Sequence, residues 1–528
     1  MRDFGRPGRS AVIAENGMAA TSHPLATATA LQMLRSGGNA VDAAIAAAAT
    51  LCVVEPAMTG IGGDCFVILA EPDGSVHGLN GSGRAPQAAH AGWYREQGIA
   101  EMPQTGAHSV TVPGAVKAWE ALAERFGSRG FGELFTDAIR YAEKGFAIHP
   151  RVARDWPRYL AELSADEGGS MHYLAGGQAP AVFSRFMTPA LGLTLRAIAD
   201  KGAAAFYEGE IAAEIAATVR AKGGFLSEDD LTAVSADWVM PISTAYGGHE
   251  LLEIPPNGQG VTALIMLNIL NELGPTGGDL SSAARYHQLI ETGRLAYSVR
   301  NSFVGDPATM NATAAQLLSV EVARDLAAQF DPAKRNPDIR PPKLPSSDTI
   351  YLTVVDRDRR AVSFINSLYG GFGSKIVTPK SGITLQNRGA CFKLEEGHPN
   401  ELGPGKRPLH TIIPAMAMKA GRPACSFGVM GGAYQPMGHV HVLTNMLDFG
   451  MDPQEAVDHA RLFWGEDGTL EAEPGIGSGL RSRLESLGHK VRDAELPFGG
   501  AQVIAIDHES GFLIGGSDPR KDGHAAGW

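Results

Sequence analysis

Asn336-Pro-Asp-Ile-Arg-Pro-Pro-Lys-Leu-Pro-Ser-Ser-Asp348 runs directly into Thr349-Ile-Tyr-Leu-Thr-Val-Val-Asp356. The first half is polar and proline-rich, the composition of a connecting segment. The second half is rich in β-branched and aromatic residues and predicts a strand. A threonine therefore opens a strand at the end of a linker. If the chain is cut before it, Thr349 gains a free α-amino group. That group titrates at roughly pH 8, so it can take the proton from the residue's own hydroxyl and turn a weak nucleophile into a working one. Most threonines that open a strand merely suit β geometry, and the local sequence leaves both readings open.

Outward from this point the pattern is ordered. Tyr351 to Val355, a charged turn at Asp356-Arg-Asp-Arg-Arg360 and Ala361 to Tyr369 predict a β-hairpin with Thr349 at its leading edge. Upstream, Pro24 to Arg35 predicts a helix stopped by Gly37-Gly38, and Asn39 caps a second, alanine-rich helix that ends before Glu55-Pro56. Phe66 to Ala70 and Ser75 to Leu79 predict a hairpin around Asp73-Gly74, and helical patterns dominate from Pro113 to about Gln329. Downstream, Gly431-Gly432 precede a helix over Gln435 to Leu447. Paired glycines let backbone approach closely, and the helix start would aim positive dipole at a developing oxyanion. A tight strand-to-helix turn would need the same glycines.

The motifs recur in a fixed order. Ser22-His-Pro-Leu-Ala, Gly37-Gly-Asn-Ala-Val-Asp-Ala-Ala44 and Val54-Glu-Pro-Ala-Met-Thr-Gly-Ile-Gly-Gly63 come first. Thr349 to Asp356, Phe372-Gly-Ser, Ser381-Gly-Ile-Thr-Leu-Gln-Asn387, Gly405-Lys-Arg-Pro-Leu, Met430-Gly-Gly432 and the tail Asp518-Pro-Arg-Lys-Asp-Gly-His-Ala-Ala-Gly527 follow. From about Ala14 to its end the chain resembles the γ-glutamyltransferase (γ-glutamyltranspeptidase) family of N-terminal nucleophile hydrolases. The resemblance implies an α/β fold, a four-layer αββα sandwich built jointly by two fragments of one chain, which overrides the three or so domains that length alone would suggest. The fragments would be residues 1–348, large and helix-rich, and 349–528, small and beginning with the nucleophile, released by self-cleavage at Asp348-Thr349. It further implies that Thr349 is nucleophile and base, that Ser367 bonds to it, and that Gly431 and Gly432 donate to the oxyanion.

Substrate recognition departs from the family pattern. Where relatives carry the arginine of an Arg-Glu-x-Ala-Pro motif, this chain reads Asn80-Gly-Ser-Gly-Arg-Ala-Pro86: Ser82 takes the arginine's place and Arg84 lies two residues on, the same face of a strand. In Gln386-Asn-Arg-Gly-Ala-Cys-Phe392, Cys391 stands where relatives carry the aspartate that binds a glutamyl ammonium, and Arg388 replaces a glutamine. Losing a carboxylate and gaining a cation inverts the pocket's preference, from an ammonium to a carboxylate, unless Arg388 serves a structural ion pair. Two serines of the family become His410-Thr411. A shortened segment, Glu395 to Gly405, predicts a more open site that favours hydrolysis over transfer. Together with Ser363-Phe-Ile-Asn-Ser-Leu-Tyr369, these features are similar to the oxamate amidohydrolase branch. The expected substrate-binding set is Arg84, Tyr369, Arg388, His410 and Thr411. The expected activity is hydrolysis of a small, carboxylate-bearing amide through an acyl-enzyme. The alternatives are a γ-glutamyltransferase or glutathione hydrolase, and an inactive binding protein on the same scaffold.

Composition sets the remaining expectations. A net charge of -12 with no basic stripe disfavours nucleic acid as a partner. Four scattered cysteines predict neither a disulfide framework nor a paired-cysteine metal site and read mostly as small buried hydrophobes. His439-x-His441 lacks a third ligand nearby and reads as packing or solvent contact, and Gly60-Ile-Gly-Gly63 precedes a strand, which excludes a dinucleotide loop. No cofactor or metal is expected. The N-terminus lacks the apolar stretch of a secretory signal and no run is long enough to span a bilayer, so the expected location is cytoplasmic. The sequence leaves a homo-oligomer open.

Overall fold

The computed structural model describes residues 8–277, 279–339, 348–465 and 467–528. Two seven-stranded antiparallel sheets face one another. The first runs in the order His524–Gly527, Met18–Thr21, Asp348–Val355, Ala361–Tyr369, Asp64–Ala70, Val76–Gly81, Asp237–Val239. The second runs Val12–Ala14, Leu513–Ser517, Gly500–Ile506, Arg422–Met430, Ala415–Lys419, His249–Glu253, Ile242–Tyr246. Both sheets take strands from either side of position 348, so the two parts of the chain are interlocked.

Four layers follow from which faces are apolar. Along Asp348–Val355, Ile350, Leu352 and Val354 turn towards the helices Pro24–Arg35, Ala40–Val54 and Ala115–Phe126. Tyr351 and Val355 turn inward with Phe66, Ile365, Met416 and Ile504 to fill the space between the sheets. The second sheet is covered outside by Gly260–Leu273, Ala283–Phe303 and Gln435–Phe449. A strand buried on both faces has no polar side to show, which is why this segment reads as a nearly continuous apolar run. The inner face is not wholly apolar: Thr353 Oγ1 donates to Ser426 Oγ across the sheets at 2.6 Å, and the Tyr351 and Ser363 hydroxyls lie 2.7 Å apart.

The expected helices and hairpins form with small shifts at their ends. Ala40–Val54 is buried along its whole length. Its start is fixed by a capping box, with Asn39 Oδ1 accepting from the Val41 and Asp42 N–H groups and Asp42 Oδ2 accepting from the Asn39 N–H at 2.9 Å. Such a cap is worth about 1 kcal/mol. Gly62-Gly63 serve close packing instead of phosphate binding: a Cβ on Gly63 would lie 2.3 Å from the Ser367 carbonyl oxygen. Most of the expected linker, residues 340–347, lies outside the described residues.

Candidate active site

Thr349 sits at an irregularity in the hairpin. Asp348 pairs with Tyr369 and Ile350 with Asn366, so the register shifts between them. A bulge of this kind re-aims a side chain. Thr349 Oγ1 lies 3.1 Å from Ser367 Oγ, and Ser367 Oγ also accepts from the Tyr369 N–H at 2.8 Å. Thr349 and Ser367 are 1% and 0% exposed. The strand pairing thus places the two hydroxyls that the sequence singled out next to each other.

The glycine turn borders the same space. Thr349, Met430, Gly431 and Ala433 line a cavity of about 590 Å³. Gly431 and Gly432 have φ of 130° and 55°, backbone that a side chain strains to adopt. The turn continues through Gly432–Tyr434 into the helix Gln435–Phe449. Among the described residues neither the Gly431 nor the Gly432 N–H meets an acceptor. Backbone donors are almost always paired when buried; these two lie just before the helix Gln435–Phe449. Gln259 holds the turn from behind, donating from Nε2 to the Gly432 and Thr411 carbonyls at 2.9 and 2.7 Å.

Arg388 lies in the 3-10 turn Arg388–Cys391 and is fully buried. Its Nη1 donates to Thr411 Oγ1 at 2.8 Å and lies 4.0 Å from Cys391 Sγ, and its Nη2 is 3.5 Å from Ser367 Oγ. The guanidinium stacks 4.4 Å above the Tyr369 ring. Among the described residues no carboxylate lies within 4.0 Å of it, and its Nε has no partner. The structural ion pair that would have given Arg388 an ordinary role is therefore missing from this surrounding. Burial pushes the Tyr369 hydroxyl well above its usual range, so the phenol stays neutral beside this cation. Tyr369, Cys391 and Thr411 border a second cavity, of about 460 Å³, which shares Ala433 with the first.

Two expected residues are not brought to this place. The strand ends at Gly81, so the same-face argument for Arg84 fails; its guanidinium turns to the Gly405 carbonyl at 3.0 Å and to Asp237 at 3.5 Å, and it borders neither cavity. His410 is buried with both ring nitrogens engaged: Nε2 lies 2.9 Å from Asp64 Oδ2 and Nδ1 accepts from the Ile412 N–H at 3.4 Å. Burial, then the nearby Arg388 cation, lowers its pKa to about 4. It is a neutral positioning residue in this structure.

Asp64 was not singled out in the sequence, yet it organises the surroundings. Its Oδ1 accepts from the Gly83 and Gly114 N–H groups and from Gln386 Nε2, and its Oδ2 meets His410. An acid opening the otherwise apolar strand Asp64–Ala70 was the available signal, because a buried charge demands several donors. Arg300, also missed, borders the second cavity and donates to Gln259 Oε1 at 2.6 Å. His439 packs on Glu253 at 2.7 Å and His441 is buried, which makes the pair core, not solvent contact. The cysteines are free, with Cys391 alone partly exposed. No helix among the described residues is long and apolar enough to cross a membrane.

Comparison with known proteins places these features in a family. The family model of gamma-glutamyltranspeptidase matches residues 26–528. The glutathione hydrolase-like YwrD proenzyme of Bacillus subtilis is 36% identical over 98% of this chain and 99% of its own length. The oxamate amidohydrolase proenzyme of Klebsiella pneumoniae is 35% identical over 98% of this chain and all of its own. Among solved structures, a cephalosporin acylase from Bacillus halodurans superposes with a TM-score of 0.93 at 39% identity, covering 100% of this chain and 99% of that one. With a match across nearly its whole length, the chain belongs to the γ-glutamyltranspeptidase family, enzymes that act on amide bonds.

Proposed function

We propose that the chain cuts itself between Asp348 and Thr349, and that the freed Thr349 hydrolyses a small amide whose scissile carbonyl carries a neighbouring carboxylate, oxamate being the simplest example. The observation that carries this reading is Arg388: a fully buried guanidinium without a carboxylate partner among the described residues, one hydroxyl away from Thr349. An unpaired buried cation costs several kcal/mol, and a substrate carboxylate would offset it bidentately. Proenzyme relatives support the maturation step.

The chemistry follows from the named groups. In maturation the Thr349 hydroxyl attacks the Asp348 carbonyl, the peptide C–N bond breaks, and water cleaves the resulting ester to leave residues 1–348 and 349–528. In turnover the α-amino group takes the Oγ1 proton and Oγ1 attacks the amide carbonyl. Gly431 and Gly432 N–H groups receive the oxyanion, the α-ammonium returns a proton to the departing amine, and water hydrolyses the acyl-enzyme. Ser367 holds the hydroxyl in line.

A hydrolysis panel on purified, processed enzyme tests the reading, with oxamate expected to exceed γ-glutamyl anilide and glutathione in kcat/KM. Efficient γ-glutamyl turnover with none on oxamate overturns it. The glutathione hydrolase reading keeps support from the YwrD relative. Against it stands Cys391, a thiol where a glutamyl ammonium would need a carboxylate.

A further inference from the structure

We propose that Cys391 is a modification site: hydrogen peroxide oxidises its thiol to a sulfinate, and that anion pairs with Arg388 and fills the place a substrate carboxylate would take. The inference rests on the Arg388 reading above and extends it from the substrate to the side chain next to the cation. Of the four cysteines only Cys391 is placed for such chemistry. Cys52 and Cys65 belong to the core packed around Ala40–Val54, and Cys425 to the core outside the second sheet. All three are buried, and burial pushes the Cys52 and Cys425 thiols up to about 12. A thiol kept protonated in a core is inert, because the thiolate is the form that attacks. Cys391 is partly exposed and borders the cavity of about 460 Å³, so a molecule as small as peroxide can reach it. Its Sγ lies 4.0 Å from Arg388 Nη1 and against the Tyr369 hydroxyl. A partly exposed thiol beside a cation is the surrounding in which cysteines react.

The cation supplies the second observation. Arg388 is 0% exposed, its Nε has no partner, and no carboxylate meets it among the described residues, while its Nη1 is directed at the sulfur. A buried guanidinium in that state lacks an anion. A sulfinate has a carboxylate's charge and two acceptor oxygens, on a side chain already beside the guanidinium, and a charge-assisted pair of this kind is among the strong ones. The steps balance. The thiolate attacks one peroxide oxygen, the S–O bond forms as the O–O bond breaks, and the departing hydroxide takes up the thiol's proton as water, leaving a sulfenic acid. That sulfur attacks a second peroxide in the same way, giving a sulfinic acid and a second water, and the acid ionises. In each step sulfur loses two electrons and peroxide gains them. The other three cysteines are core residues, so no exposed thiol stands ready to divert the sulfenic acid into a disulfide.

The test exposes processed wild type and Cys391→Ser to hydrogen peroxide, removes the excess with catalase, and reads each protein by peptide mass spectrometry and by turnover of whichever amide the wild type cleaves. Wild type is expected to gain two oxygens at Cys391 and, in step, to lose kcat/KM by about ten- to a hundredfold, the worth of a charge-assisted bond withdrawn from the substrate. Dithiothreitol should not restore it. Cys391→Ser, whatever its starting rate, should keep that rate through the same exposure. Turnover lost with Cys391 unmodified, turnover kept with Cys391 oxidised, or an equal loss in Cys391→Ser overturns the proposal. A second readout needs no turnover: Cys391 in folded Arg388→Gln should gain oxygen about three- to tenfold more slowly than in wild type, and an equal or faster rate overturns the proposal. Failure of the underlying reading shows differently, as an unoxidised Arg388→Gln with wild-type kcat/KM.

Discussion

The hydroxyl side of the site and the anion side are made of different material. Thr349 and Ser367 sit on paired strands, where register fixes which residues meet, and Asp64 on the next strand pairs directly with Ser367. Arg388, Thr411 and His410 sit on turns and loops, where nothing in the local spacing says which way a side chain points. The hydroxyl pair is held by the sheet, and Arg388, Thr411 and His410 are held by contacts made across it.

The sharpest way to break the comparison is at the sheet. Thr349→Ala should stay as one chain on a denaturing gel, whereas wild type gives two fragments, the smaller beginning Thr-Ile-Tyr-Leu. Its turnover should fall by roughly 10⁴-fold or more, the scale seen when a nucleophile is removed. An active enzyme that remains one intact chain would end the N-terminal nucleophile reading. Next comes the glycine turn. Gly432→Val puts a β-branched side chain at φ 55° and pulls the donor away from the oxyanion; turnover should drop about a hundred- to a thousandfold. A folded variant with full rate would remove the turn from the mechanism.

The two arginines sharpen the contrast. Arg388→Gln should lower kcat/KM for oxamate by about ten- to a hundredfold, the worth of a charge-assisted hydrogen bond, while self-cleavage, which has no free ligand to recognise, continues. Arg84→Gln removes only a partly exposed pair with Asp237 and should change kcat/KM by about twofold at most. Loss of processing in Arg388→Gln would make that residue structural, and a large effect at Arg84 would return it to the substrate-binding set.

What could be read in the sequence follows the same division. The hairpin and the capped helix after Asn39 came from periodicity and caps, which are local signals, whereas the Thr349–Ser367 meeting came from the family resemblance. Arg84 was misplaced because the two-residue rule holds only while a strand continues, and this strand stops at Gly81. His410 was misread as facing substrate because its direction is set by Asp64, 346 residues away in the chain. Arg388 was legible as a change of charge, though its stacking on Tyr369 and its reach to Ser367 depend on tertiary geometry. The N–H groups of Gly431 and Gly432, without an acceptor among the described residues, could not be seen at all before the turn's backbone was known.

The smallest expected effect tests the bond that joins the two halves. His410 on its loop donates to Asp64 on its strand, and burial holds the imidazole neutral, with its pKa lowered from 6.5 to about 4. A depressed pKa means that the unfolded chain binds the proton more readily than the fold does. The neutral histidine therefore contributes full stability above pH 6.5, and that contribution is lost as pH falls through about 4. By linkage the loss amounts to about 2 kcal/mol at pH 5, and spread over a chain of this size it lowers Tm by about 2 °C. His410→Gln keeps a donor for Asp64 but cannot titrate, so whatever fixed penalty it carries, its Tm should fall less than that of wild type between pH 7 and 5. Removing the cation next door with Arg388→Gln takes away a cause of the depression, raises the folded pKa and should shrink the Tm loss between pH 7 and 5. A wild-type Tm that falls less than that of His410→Gln between pH 7 and 5 would mean that His410 is protonated in the fold, and the strand and loop halves would then be joined by an ion pair in place of a neutral hydrogen bond.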